Sequence, residues 1–149
     1  MLVLLLRIGE QRFGLDALDV LEVVPCVALL PVPGAPDWIA GLLHHRDGVA
    51  PVVDLARLVG GRAAAPRLST RIVVLRRSDS DGLIGLLAEG VTETVRVDEA
   101  RLRAAGLRAP NAAWLGPIAL DAGGPLQLVR WTDLVPAELR AAVLAGAEA

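Results

Sequence analysis

The sequence of 149 residues predicts a mainly β protein built from two similar small barrels. Short runs of Val, Leu and Ile are separated by turn residues, a pattern typical of β-barrels and β-sandwiches. Helical patterns are few and short. One half of the chain also resembles the other half, which indicates two copies of one strand arrangement that stabilise each other by packing together.

The predicted strands are short and closely spaced. Leu2–Ile8 is an apolar run followed by the turn Gly9-Glu10, and residues 92–97 alternate between polar and apolar side chains as a half-exposed strand does. Such spacing leaves room for turns between strands rather than for long helices. Further apolar runs predict strands at Val49–Leu55, Arg71–Leu75, Leu83–Ala88 and Leu126–Val129.

The helical patterns are confined to three short segments. Asp98 is a suitable N-cap for a helix at Asp98–Ala105, and Asp54–Val59 is long enough for a single turn that Gly60-Gly61 ends. Pro136 is a suitable first residue for a helix at Pro136–Ala145. We therefore expect a C-terminal helix after the last strand.

The internal repeat is the most informative feature of the sequence. A shift of 71 residues places Gly14–Val24 on Gly85–Val95 with six identities, and a shift of 76 residues places Trp38 on Trp114. The second shift also aligns one glycine and three apolar positions in the same register. Coincidence is the alternative in a chain rich in Leu, Ala and Val. The paired tryptophans and glycines favour a duplication, so we expect two barrels of similar structure.

Composition excludes several classes of function. The net charge is −2, all 15 basic residues are Arg, and the chain has three Trp, one Phe and no Tyr. It therefore offers neither a basic patch nor a stacking platform for nucleic acid, and no Lys for a phosphate-binding P-loop. No apolar run reaches the roughly 18 residues of a membrane span, so the 54% hydrophobic content predicts buried cores and partner surfaces. The single cysteine fits a reducing cytoplasm.

Candidate catalytic and metal-ligating residues form no recognisable site. His44 and His45 are adjacent, and neighbouring side chains of a strand point to opposite faces, so these two do not share a metal. Cys26 follows Pro25 in an apolar stretch, which predicts a small buried side chain rather than a nucleophile. We therefore predict no enzyme activity, no cofactor and no metal.

One long segment resembles a known family. Leu30–Leu55 is similar to the motif of CheW-like chemosensory adaptors, and three flanking segments are similar to other parts of that family: Leu18–Val23, Thr70–Leu75 and Gly82–Val91. The resemblance covers residues 3–135. The chain departs from the family pattern at Asp47, which stands in place of a glycine, and at Ala88-Glu89, which stand in place of Val-Asp.

The resemblance implies a CheW-like fold, in which two five-stranded SH3-like β-barrels pack side by side with a few short helices. It implies a single domain over residues 1–149. Within it we expect subdomain 1 at about 13–68 and subdomain 2 at about 2–12 plus 70–136. Residues 137–149 are expected to form the C-terminal helix or tail.

The resemblance also implies a noncatalytic, cytoplasmic adaptor. Its partners would be the regulatory domain of a CheA-type histidine kinase and the cytoplasmic tip of a methyl-accepting chemoreceptor, with no nucleic acid and no direct membrane insertion. The tail from Leu128 to Pro136 is more similar to adaptors of Wsp-type systems, which control cyclic-di-GMP synthesis. The alternative function is a β-barrel that binds a small ligand or nucleic acid.

The resemblance carries four partner-binding residues over to this chain: Val20 as an apolar contact, Glu22 as a polar one, Gly41 for close backbone approach, and Arg46 as a donor to a partner's carboxylate or carbonyl. Each has a structural alternative, as core residue, solvated face, turn or local salt bridge respectively.

Trp131 is the fifth candidate for partner binding. Trp38 and Trp114 are matched by the repeat and are expected in the core, whereas Trp131 falls on Leu55 and has no aromatic counterpart. An unmatched tryptophan favours an interface role, because aromatic side chains are enriched at the centres of protein interfaces.

Overall fold

A computed structural model describes residues 1–46, 48–76, 82–104, 114–121 and 123–134 of the chain. Strands dominate these residues, and the two α-helices are short. The elements in chain order are β1 (Leu2–Ile8), β2 (Gln11–Asp16), β3 (Val20–Pro25), β4 (Ile39–His45), β5 (Gly48–Asp54), α1 (Leu55–Gly60), β6 (Arg71–Arg76), β7 (Leu83–Ala88), β8 (Thr94–Arg96), β9 (Leu115–Asp121), β10 (Gly124–Val129) and α2 (Trp131–Leu134).

The strands form two five-stranded sheets. Sheet A has the order β8-β1-β2-β10-β9, and sheet B has the order β3-β6-β7-β5-β4. Neighbouring strands are antiparallel except for one parallel pair in each sheet, β2 with β10 and β5 with β7. The predicted mainly β fold with two SH3-like units is therefore confirmed.

The chain is divided between the sheets differently from the expected boundaries of 13–68 and of 2–12 plus 70–136. Sheet B consists of β3–β7, and sheet A combines β1 and β2 with β8–β10. The reason is hairpin pairing. β2 pairs with β1 along its whole length, so the first crossing to the other sheet comes after Asp16. The β6–β7 hairpin stays with β3 and β5, so the second crossing comes after Ala88.

The duplication is confirmed in the register of the strands. Gly14 pairs with Leu128 in sheet A, and Gly85 pairs with Val52 in sheet B. These partners are separated by the two shifts that relate the halves of the sequence. The backbone agrees as well: N–H of residue 54 donates to the carbonyl of Trp38 at 2.8 Å, and N–H of residue 130 donates to that of Trp114 at 2.7 Å.

Three hydrophobic clusters follow from this arrangement. One lies between the sheets and takes side chains from both, including Leu6 and Leu15 from sheet A and Leu75 and Leu86 from sheet B. The other two lie on the opposite face of each sheet, one cluster for each sheet. Two small barrels therefore have separate interiors and share a third core, which joins them.

The short helices begin at the predicted caps. The side chain of Asp54 accepts a hydrogen bond from the first turn of α1, and Gly61 ends that helix with a φ of 71°. Asp98 caps a 3-10 helix that covers only Glu99–Arg101, shorter than the predicted helix. The predicted helix at residues 136–145 and the tail at 137–149 lie outside the described residues. Cys26 is exposed rather than buried, because it follows the end of β3 and is not covered by either sheet.

Candidate functional site

The outer strands of sheet B bring together two of the residues that sequence analysis selected. Glu22 lies on β3, and Arg46 follows β4 in the turn to β5. These strands form opposite edges of sheet B, yet Nη2 of Arg46 lies 3.9 Å from Oε2 of Glu22. The edges therefore approach each other where the barrel closes.

A third residue, His45, completes this cluster. Its Nε2 donates to Oε2 of Glu22 at 2.5 Å. The imidazole is only 8% exposed, whereas the carboxylate side chain of Glu22 is 37% exposed. The pair thus has one buried member that anchors it and one member that remains accessible to a partner.

The surroundings of Glu22 favour its ionised form. The hydrogen bond from His45 is the main reason why the pKa of Glu22 lies below its ordinary value. Partial desolvation opposes this effect, while the charges of His45 and Arg46 add to it. Glu22 is consequently a carboxylate, able only to accept hydrogen bonds.

Arg46 presents the most accessible charge of the cluster. Its side chain is 79% exposed, and its backbone adopts a φ of 53°, in the left-handed region. A separation of 3.9 Å from an exposed carboxylate holds the guanidinium weakly. Arg46 is therefore free to form bidentate hydrogen bonds with a partner's carboxylate. The departure from the family pattern at Asp47 lies outside the described residues.

Val20 and Gly41 contribute to the fold around this cluster. Val20 is half-buried at the start of β3 and packs against the shared core. Gly41 is buried with a φ of 147°, and a Cβ there would lie 2.7 Å from the carbonyl oxygen of Leu30. The close backbone approach expected at Gly41 is thus made by this chain's own Leu29-Leu30 segment, which hydrogen-bonds to Leu42, and not by a partner.

Trp131 is not at the surface, which corrects its expected role as an interface residue. It is 7% exposed and belongs to the core between the sheets. Its repeat counterpart Leu55 belongs to the same core. Both follow the last strand-pairing segment of their hairpin, so the duplication places both inward, and the tryptophan is a larger side chain at an equivalent core position.

Exposed apolar side chains surround the cluster. Leu21 is next to Glu22 on β3, and Val49 lies opposite His44 in the β4–β5 hairpin. Leu30, also exposed, pairs with Leu42 through two backbone hydrogen bonds. Charged groups with an apolar border are typical of protein interaction surfaces.

Sequence analysis did not select His45 as a site residue. It expected the two histidines to point to opposite faces, and this is confirmed, because His44 is exposed and His45 is buried. The period of two was the available signal: His45 follows Leu43 by two residues and shares its buried face. Its contact with a residue 23 positions away had no signal in the local sequence.

A cleft elsewhere on the molecule bears on the small-ligand alternative. It has a volume of about 440 Å³ and a mixed lining that includes Asp19, Arg76 and Arg130. Burial, with a smaller contribution from the charge of Asp16, raises the pKa of Asp19. Its described lining contains no histidine or cysteine, and no group of three potential metal ligands occurs among the residues that the structure describes. Nothing in this cleft favours a particular ligand.

Membrane insertion has one structural test. Among the described residues, none of the helices is both long enough and apolar enough to cross a bilayer.

Comparison with known proteins places the chain in a family. The model of the CheW-like domain matches residues 2–137. The chain is 29% identical over 93 residues to chemotaxis protein CheW of Rhizobium meliloti, a match that covers 62% of this chain and 59% of that protein. It is 32% identical over 104 residues to protein FrzA of Myxococcus xanthus, covering 70% and 61% respectively. The matches thus span about three fifths of the relatives' length.

The fold agrees with a solved structure. The crystal structure of the scaffolding protein TtCheW from Thermoanaerobacter tengcongensis superimposes with a TM-score of 0.80, at 23% identity, and the match covers 91% of this chain and 88% of that one. At this identity the likeness concerns the fold. Together with the domain match over nearly the whole chain, it shows that this chain belongs to the CheW-like family.

Proposed function

We propose that the chain is a noncatalytic adaptor that links the cytoplasmic tip of a methyl-accepting receptor to the regulatory domain of a CheA-type histidine kinase. The observation that supports this proposal most is the CheW-like domain match over residues 2–137. The relatives named chemotaxis protein CheW and the structure named a scaffolding protein agree with it. Such an adaptor acts in the cytoplasm.

The architecture suits a linking role. An adaptor needs two separate surfaces on one rigid body, and the shared core between the sheets couples the two barrels. A specific contact buries roughly 1,200–2,000 Å² in total, which is compatible with one partner on each barrel. The Glu22–Arg46 cluster lies on sheet B alone, so it serves one of the two partners.

Within this surface we assign the polar contacts to Glu22 and Arg46, and an apolar contact to the exposed edge of Val20. Arg46 supplies charge and direction, because its guanidinium is exposed and weakly held. Gly41 and Trp131 support the surface from within the protein, by shaping β4 and by filling the shared core.

A charge reversal tests the assignment. Arg46→Glu should weaken binding to the receptor or to the kinase domain by about tenfold or more, since it removes a donor and places a second carboxylate near Glu22. The fold should persist because the side chain is exposed. The measurement is co-purification and affinity with each partner separately, with Arg62→Glu on the α1–β6 connection as the matched exposed control. Unchanged affinity of Arg46→Glu for both partners would show the assignment to be wrong.

The output of the system is a finer proposal. Resemblance of the tail to Wsp-type adaptors supports an array that controls cyclic-di-GMP synthesis. Deleting the gene should then change the cellular cyclic-di-GMP level while leaving swimming intact. A swimming defect at an unchanged cyclic-di-GMP level would instead assign the chain to a motility array.

A further inference from the structure

The buried imidazole of His45 has a purpose that the interaction surface alone does not explain. His45 ends β4, is 8% exposed, and contacts the carboxylate of Glu22 across the barrel opening. Burying a polar ring is unfavourable unless it is hydrogen-bonded, and Glu22 provides that partner. A leucine would fill the same position, which follows the alternation of Leu43, without this requirement.

The His45–Glu22 contact joins two strands that no backbone ladder joins. β3 and β4 are the outer strands of sheet B, and within the described residues they do not pair with each other. A hydrogen bond to an ionised carboxylate is stronger than one between neutral groups. This side-chain bond therefore fixes the position of Glu22 relative to the β4–β5 turn that holds Arg46.

The bond also determines which atoms remain for a partner. His45 occupies Oε2 of Glu22, while Oε1 accepts no hydrogen bond from the described residues. Arg46 lies 3.9 Å from the same Oε2. Without the imidazole, the guanidinium would be the nearest donor to this carboxylate, and the two exposed groups would satisfy each other.

We propose that His45 is a positioning residue, whose Nε2–H holds Glu22 in place so that the Glu22 carboxylate and the Arg46 guanidinium are both presented to a partner. The proposal rests on the proposed adaptor function and concerns the same surface. The partner must supply a donor for Glu22 and a carboxylate or carbonyl for Arg46, side by side. Sheet A offers no equivalent, since the repeat places Asp121, an acid, at the position of His45.

Two substitutions at one position separate positioning from packing. His45→Leu keeps a buried side chain but removes the donor, whereas His45→Gln places an amide N–H near the former Nε2. We expect H45L to weaken binding of the partner that Arg46→Glu affects by about fivefold to tenfold, the value of one hydrogen bond. H45Q should remain within about twofold of the wild type. Equal losses in both variants, or no loss in H45L, would overturn the proposal.

A double-mutant cycle tests whether His45 acts through Glu22. The variant Glu22→Ala should bind no more tightly than Glu22→Ala combined with His45→Leu, because the imidazole has nothing left to position. Additive losses would contradict the proposal. Circular dichroism and urea unfolding of each variant establish that the compared proteins are folded.

A spectroscopic measurement on the wild type does not depend on H45L folding. Long-range ¹H–¹⁵N spectra at neutral pH should show the His45 proton on Nε2, and a mixture of tautomers in Glu22→Ala. A wild-type Nδ1–H tautomer would overturn the proposal. If the wild type binds neither the kinase domain nor the receptor tip, the adaptor function fails and this inference fails with it. If it binds and H45L binds equally well, only the inference fails.

Discussion

In sheet B, Leu43 on β4 lies opposite Ala50 on β5, whereas in sheet A the equivalent pair is Ala119 on β9 and Leu126 on β10. All four side chains are buried in the interior of their barrel. The large and the small residue have exchanged strands between the two copies, and the pairing register has stayed the same. The comparison indicates that each barrel requires one leucine's volume at this level, and that either strand can provide it.

The largest expected effect comes from separating this pair. Leu43→Ala should lower the free energy of unfolding by about 2–5 kcal/mol through the cavity it leaves. Ala50→Leu should lower it by about 1–3 kcal/mol through overpacking. The double variant recreates the arrangement of sheet A and should lose less than about 1.5 kcal/mol, as volume-conserving exchanges do. Urea unfolding measures all three.

The exchange of Ala119 and Leu126 in sheet A is the matched control, because the reverse double variant Ala119→Leu with Leu126→Ala recreates sheet B. Losses that simply add in either double variant would show that the barrels differ in backbone geometry and not only in side chains.

A second difference lies at the end of the paired hairpins, where Asp54 in one copy corresponds to Arg130 in the other. Asp54 is buried, and its carboxylate accepts hydrogen bonds from the N–H groups of Arg57 at 3.2 Å and Ala64 at 3.1 Å. It thereby caps α1 and holds the connection to β6. Arg130 is exposed.

Asp54→Ala should therefore lower the free energy of unfolding by about 1–3 kcal/mol, since it removes a cap and leaves a second amide unpaired. Arg130→Ala should change the same quantity by no more than about 0.5 kcal/mol. The comparison is made by urea unfolding at neutral pH. Similar losses in the two variants would contradict the difference in burial.

A third difference concerns two glutamates that the repeat aligns, Glu22 and Glu93. The pKa of Glu22 is lowered by its hydrogen bond with His45. A carboxylate with a lowered pKa in the folded state stabilises the fold above its unfolded pKa, and this contribution is lost as pH falls through the folded value.

The unfolding free energy of the wild type should thus exceed that of Glu22→Ala at neutral pH, and the difference should vanish on acidification below the ordinary pKa of a glutamate. Glu93→Ala, at an exposed position, is the control. A difference between wild type and Glu22→Ala that stays constant with pH would show that the carboxylate charge contributes nothing.

The smallest effect is expected at Asp19, whose repeat counterpart is Gly90. Burial and the charge of Asp16 raise the pKa of Asp19, so its ionised form disfavours the fold above that pKa. Asp19→Asn should slightly raise the unfolding temperature at neutral pH, and the gain should disappear at low pH, where Asp19 is protonated in both states. A decrease at neutral pH would show that Asp19 makes a favourable contact.

Local patterns predicted much of the fold and part of the candidate site. The apolar runs located β1, β6 and β7, and the Asp54 and Asp98 caps are local hydrogen bonds. Glu22 and Arg46 were carried over by resemblance and do meet. His45 was missed because its partner is distant along the chain, and Trp131 was misplaced because an unmatched aromatic side chain says nothing about its own burial.

The sequence by itself determined the strands, their caps and the duplication, because these depend on side-chain period, on hydrogen bonds over a few residues and on repeated order. Only the tertiary structure decided which sheet each hairpin joins, since the chain crosses between sheets twice and pairing partners are far apart in sequence. The tertiary structure also decided the chemistry of the surface. Glu22 and His45 become neighbours only when the two outer strands of sheet B close the barrel.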